Sequence, residues 1–158
     1  MRERPAAIPD PGGTPAATPP TVILGVAASD AHAVANRLID IALTEAGYQV
    51  INLGPCTPVA EFVACLAEHP NALAIAIGSL NGHAVEDLAP LREARDSGKL
   101  HCPVIVGGNL TVGGTGRADA IAALGELGVD HVLDDVSELI AALGQLAAER
   151  GTALIPVA

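Results

Sequence analysis

Asp30 and His32 stand two residues apart in the run Ser29-Asp30-Ala31-His32-Ala33. An imidazole ligates a transition metal through one ring nitrogen, and a carboxylate on the other nitrogen orients the ring and raises its basicity. Asp-x-His is therefore a workable pair, with His32 on the metal and Asp30 behind it. A plainer alternative stays open on local propensity alone: Asp30 as a helix N-cap and His32 as an exposed residue of the first turn. Two further stretches have unusually small side chains, Gly78-Ser79-Leu80-Asn81-Gly82-His83 and Gly107-Gly108-Asn109-Leu110-Thr111-Val112-Gly113-Gly114. Such residues let backbone approach a flat or extended ligand closely, and Ser79 and Asn109 add polar groups. Nothing in the sequence reads as a substrate-processing constellation: G-x-S-x-G is absent, and no nucleophile–base pair or paired carboxylates stand in a convincing loop context, so catalytic residues are not expected in this chain.

These segments need a scaffold that brings them together. From Thr21 onward, short β-branched or aliphatic runs alternate with longer amphipathic segments, the pattern of repeated βα units around a parallel sheet. Strands are predicted at 21–28, 48–53, 72–78, 103–107 and 130–133, and helices at 33–46, 57–68, 84–98, 117–127 and 135–149. Gly47 and Gly128 follow two of these helices as C-terminal stops, and Thr57 before Pro58 reads as a helix start. Five strands in a chain of 158 residues point to a flavodoxin-like (Rossmann-like), doubly wound α/β domain with strand order 2-1-3-4-5. Ligands of such sheets bind at the carboxyl ends of the first and third strands, and the three segments above follow strands one, three and four.

Composition narrows the classes. The apolar half of the sequence is almost entirely Ala, Val, Leu and Ile, with one Phe (Phe62), one Tyr (Tyr48) and no Trp, so the core is expected to be aliphatic. A net charge of -10 with scattered basic residues leaves no basic patch for phosphates, which excludes a nucleic-acid binder. Cys56, Cys65 and Cys102 are odd in number, form no CxxC pair and follow no secretory signal, so a reducing cytoplasm is expected and a thiolate zinc site is not. No apolar run reaches the roughly 18 residues of a membrane span. Residues 1–20, rich in Pro, Ala, Gly and Thr, are expected to form a disordered tail, with a folded domain at 21–150 and a short tail at 151–158.

From about Val22 to Glu149 the sequence resembles the sigma, or S, subunit of glutamate mutase (methylaspartate mutase), a cobalamin-binding family. The stretches SDAHAVANRLID, TEAGYQVINLG, GSLNG and VGGNLTVG occur in that family's order and approximate spacing. The family motif runs D-x-H-x-x-G, then S-x-L, then G-G. Asp30 and His32 match the first part, Leu80 the second and Gly107-Gly108 the third. Three positions depart from the pattern: Ala35 replaces Gly, Gly78 replaces the first Ser of S-x-L, and Asn81 replaces a Tyr. A methyl at 35 is expected to narrow the ligand's path, and Gly78 to remove a hydrogen bond, each worth about 1 kcal/mol.

The resemblance implies adenosylcobalamin as cofactor, with its nucleotide tail inserted beside the sheet. It implies His32 as the axial cobalt ligand and Asp30 as that ligand's hydrogen-bond partner. Ser29, Ala31, Ala33, Gly78, Ser79, Leu80, Gly107, Gly108, Asn109, Leu110, Thr111 and Val112 would complete the cofactor site. It further implies a larger, barrel-type (epsilon-like) catalytic subunit as partner in a hetero-oligomer, and interconversion of L-glutamate and threo-3-methylaspartate through radicals. Two other classes compete. One is a stand-alone corrinoid carrier or sensor; a methyl-transfer carrier usually has a helical cap domain before this fold, which a Pro-rich 20-residue segment cannot make. A response-regulator or flavodoxin module would show an acidic cluster or a phosphate loop, and neither occurs.

Overall fold

A computed structural model describes residues 17–111 and 116–154. Val112, most of the 1–20 segment and the last four residues lie outside the described residues. The elements run β1 (Thr21–Val26), α1 (Ala33–Glu45), β2 (Gln49–Asn52), α2 (Val59–Glu68), β3 (Ala74–Gly78), α3 (Ala84–Leu88), α4 (Leu91–Asp96), β4 (Val104–Gly107), α5 (Arg117–Leu127), β5 (His131–Leu133) and α6 (Val136–Glu149). All strand pairs are parallel, in the order β2-β1-β3-β4-β5. This is the doubly wound, flavodoxin-like sheet that the alternating pattern predicts.

Alternation along the strands separates two cores. Ile23, Ile75, Ile77, Val104 and Val106 face one side with Phe62 and Leu66 of α2 and Leu124 of α5. Val22, Leu24, Ala76 and Ile105 face the other, with Leu43 of α1 and Leu139 and Leu143 of α6. Burying each large aliphatic side chain contributes roughly 1.5–3 kcal/mol relative to exposure, and five parallel strands need such cover on both faces. Leu154 also packs on the second core, and Gln49 donates its amide hydrogen to Pro20 O.

Two local expectations are corrected. The predicted helix 84–98 is two helices, α3 and α4, separated at Pro90. Proline lacks the amide hydrogen that would continue the ladder and clashes with the preceding turn. Thr57 does not cap α2, because its hydroxyl donates to Gly54 O at 3.0 Å and its amide to Val26 O at 2.9 Å. The N-cap position is Pro58, and Thr57 instead ties the β2–α2 connection to the end of β1 through a bridge with Ala27. Gly47 and Gly128 do end their helices, at φ of 97° and 106°.

Candidate functional site

At the carboxyl ends of β1, β3 and β4, on the face covered by α1 and α6, lies a cavity of about 320 Å³. The sheet has no bulk there. Ala76, Gly78 and Gly107 form the floor, Leu24 and Ile105 lie deeper, and Ala35, Leu38 and Ile39 of α1 and Leu139 of α6 form the walls. Gly78 and Gly107 are neighbours in the β3–β4 register, so two missing side chains fall side by side. A Cβ at Gly78 would meet its nearest neighbours at 3.9 and 4.0 Å, ordinary contact, so a side chain is not excluded there by a clash. The volume falls within the roughly 300–1,000 Å³ of small-molecule sites, and the lining is chiefly apolar, which suits a flat aromatic group.

His32 stands at the mouth of this slot as the N-cap residue of α1, with its side chain 56% exposed. Its Nδ1 lies 2.5 Å from Asp30 Oδ1, and that oxygen also accepts the His32 amide at 3.0 Å. The other Asp30 oxygen accepts the Leu80 amide from the loop after β3. Asp30 is therefore no helix cap. It is a buried carboxylate that joins the β1 and β3 loops and holds an imidazole. Burial alone pushes its carboxyl up, but the Leu80 amide and the His32 ring and amide together outweigh burial and hold it below the usual carboxylate range. An ionised carboxylate accepts only, so Nδ1 carries the ring proton and Nε2 keeps a lone pair for a metal.

The direction of this shift gives a signed expectation. A carboxyl depressed in the folded state stabilises the fold fully above its unfolded value of about 3.9, and that contribution is lost as pH falls through the lower folded value. In the cofactor-free chain, the stability difference between wild type and Asp30→Asn should be present at about pH 5 and shrink below about pH 4. Urea midpoints measured across that range decide it; a gap that persists undiminished at pH 2.5 would contradict the ionised pair.

Among the expected site residues, the structure brings His32, Gly78, Leu80, Gly107 and Gly108 to the slot. Ser29, Asp30 and Ala31 belong to the loop that carries His32 and Ala33 opens α1, but none of the four lines the cavity. Ser79 is fully buried off the slot with its hydroxyl unpartnered. Asn109 is exposed; Leu110 packs in the core on the other face, and with Thr111 it borders a separate hollow beside His83. Sequence reasoning missed Asn36, one helical turn after His32. It is 5% exposed, lines the slot, and its amide nitrogen has no partner. Its i+4 spacing from the ligand candidate was the available signal. Asp134 and Asp135 on the far rim are also additions. Asp135 caps α6 by accepting the Glu138 amide, and Glu138 accepts the Asp134 amide in return.

Among the described residues, no three His, Cys, Asp or Glu are grouped to hold a metal ion, and no helix is long and apolar enough to cross a membrane. An oriented imidazole beside an apolar slot, at the carboxyl edge of a parallel sheet, defines a doubly wound domain with a small-molecule site at its topological switch point.

Comparison with known proteins names the family. The B12 binding domain model matches residues 20–134. The glutamate mutase sigma subunit of Halobacterium salinarum is 44% identical over 116 residues, covering 73% of this chain and 77% of that one. The Clostridium cochlearium sigma subunit is 37% identical over 113 residues, covering 71% and 82%. The fold matches a cobalamin-binding protein from Desulfitobacterium hafniense with a TM-score of 0.66 at 16% identity, over 81% of this chain and 59% of that one. The chain belongs to the glutamate mutase sigma subunit family of B12-binding domains.

Proposed function

We propose that this chain is the cobalamin-holding subunit of an adenosylcobalamin-dependent carbon-skeleton mutase, acting in the cytoplasm on L-glutamate and threo-3-methylaspartate with a separate barrel-type subunit. The observation that carries the proposal is His32, seated on the buried carboxylate of Asp30 at the mouth of an apolar slot. The residues fit the cofactor. The imidazole suits cobalt, the small-sided floor suits a benzimidazole, and the unpartnered Asn36 amide supplies a hydrogen bond that no protein group uses.

Adenosylcobalamin, when bound, supplies a cobalt–carbon bond whose homolytic cleavage starts radical rearrangement. This chain's share is to bind and orient. His32 would offer Nε2 to the metal, Asp30 would hold the ring and its proton at Nδ1, and the slot walls would exclude water from whatever part of the cofactor they enclose. With no substrate-processing residues in the described chain, the substrate cavity belongs to the partner, which closes over the carboxyl edge and keeps solvent from reactive radicals.

Incubation of the purified chain with a cobalamin, followed by desalting and visible spectroscopy, tests the reading. Retained absorbance at one equivalent is expected, with glutamate turnover only after a barrel subunit is added. Loss of all absorbance on desalting would overturn the binding assignment, and turnover by this chain and cofactor alone would overturn the two-subunit assignment.

A further inference from the structure

The loop that carries His32 is held from a second side. Ser29, immediately before Asp30, donates both its amide at 3.2 Å and its hydroxyl at 2.7 Å to the same oxygen of Asp87. Asn81 Nδ2 donates to the Ser29 hydroxyl at 2.8 Å and to the Ser29 carbonyl at 2.9 Å. The Asn81 amide has one consistent orientation, because its Oδ1 accepts the His83 amide at 3.1 Å. Proton direction is thus set along the whole chain of groups, from Asn81 to the Ser29 hydroxyl to the Asp87 carboxylate. Asp87 rests on a firm base: α3 is fixed in the core by Ala84 and Leu88, which are 0% and 1% exposed.

The two anchors divide the work. The Asp30 carboxylate accepts from His32 and Leu80, and none of these bonds locates its own loop against α3. Ser29 does that. Asn81, where the resemblance leads one to expect tyrosine, makes two donations to Ser29 that a single phenolic hydroxyl cannot make. We infer that Asp87, acting through Ser29 with Asn81, is a positioning residue that keeps the Asp30–His32 pair assembled. The inference rests on the proposed role of His32 as ligand, and it is independent of which substrate the assembled enzyme uses.

Full-length chain with nitrogen-15-labelled histidine provides a test in two stages. Without cofactor and at fixed neutral pH, wild-type His32 should show well-separated Nδ1 and Nε2 resonances, the mark of one tautomer held by Asp30. Asp87→Ala should narrow that separation as the ring escapes the carboxylate and exchanges tautomers. Asp87→Asn keeps an oxygen for both Ser29 donors and should restore most of it. With cobalamin, Asp87→Ala should lose about tenfold in affinity, the low end for an outer partner of a metal ligand, and show weaker histidine-nitrogen coupling to Co(II). Wild-type resonances and wild-type coupling in Asp87→Ala would overturn the inference. If circular dichroism shows that Asp87→Ala does not fold, Ser29→Ala and Asn81→Ala decide: narrowed His32 resonances support the clamp and unchanged ones overturn it. A wild-type chain that binds no cobalamin would sink the functional proposal, while the cofactor-free resonances would still judge the clamp.

Discussion

Alanine at position 32 is expected to leave the chain folded and to cost it its grip on cobalamin. The His32 side chain is more than half exposed and its one close partner is Asp30, so its removal opens no core cavity. What is lost is the nitrogen proposed to hold cobalt. Asp30→Asn keeps that nitrogen but disturbs its orientation and basicity, a change that costs metal sites roughly 10–100-fold. His32→Ala should exceed it, weakening cobalamin binding by more than about 100-fold, or about 2.7 kcal/mol. Electron paramagnetic resonance of the Co(II) form with nitrogen-15 histidine reads the ligand directly. The coupling should be present in wild type, absent in His32→Ala and unchanged in His101→Ala, whose ring bonds Pro70 O. Coupling that survives in His32→Ala would show that another residue is the ligand.

Gly108→Ala should be the most damaging substitution for the fold near the site. Gly108 has φ of 115°, and a Cβ there would lie 2.2 Å from Ser79 O and 3.0 Å from the Ser79 carbonyl carbon. Neither backbone can yield readily, because the Ser79 amide bonds Gly107 O at 2.9 Å and the Gly82 amide bonds Asn109 O at 3.1 Å. Conformational strain alone costs about 1–3 kcal/mol, and displacing the two loops brings the expected loss to about 3 kcal/mol or more. Gly125→Ala is the control. It lies inside α5, a Cβ there meets nothing within 4 Å, and helix propensity favours alanine by up to about 1 kcal/mol. Urea midpoints should therefore move in opposite directions, and equal midpoints for wild type and Gly108→Ala would refute the close-approach argument. Cobalamin retention should fall in Gly108→Ala as well, since Gly107 and Gly108 both line the slot.

Much of the scaffold is legible along the chain because strand runs such as VILGV and AIAIG are aliphatic enough to be buried on both faces. The topology follows from them, since parallel strands need helical crossovers and doubly wound sheets bind ligands at one edge. The Asp30–His32 pair is legible for a different reason: its chemistry is local, confined to two residues and one turn. The slot is not local. Ala76, Ile105 and Leu139 are ordinary core residues in sequence, and they become a binding surface only because facing side chains at their positions are missing or small. Thr57 misleads because a hydroxyl can serve carbonyls behind it as readily as amides ahead of it, and nearby Gly54 O and Leu53 O take it. At Pro90 the breaker itself was visible, but the long run of helix formers around it outweighed one residue in the periodic pattern.

The register of the sheet carries a consequence for how the site comes into being. Its floor needs β1 beside β3, with Val22 on Ala74, and β3 beside β4, with Ile75 on Val104. Loop-closure entropy must be met before such distant pairings give any return, so they form late and slowly in folding. During synthesis, the cofactor pocket is incomplete until the chain has emerged past Leu139, and the His32 segment waits for most of the domain before it has anything to hold. Cobalamin is therefore a ligand of the finished topology alone, and by mass action its binding draws every partly assembled chain toward the native state.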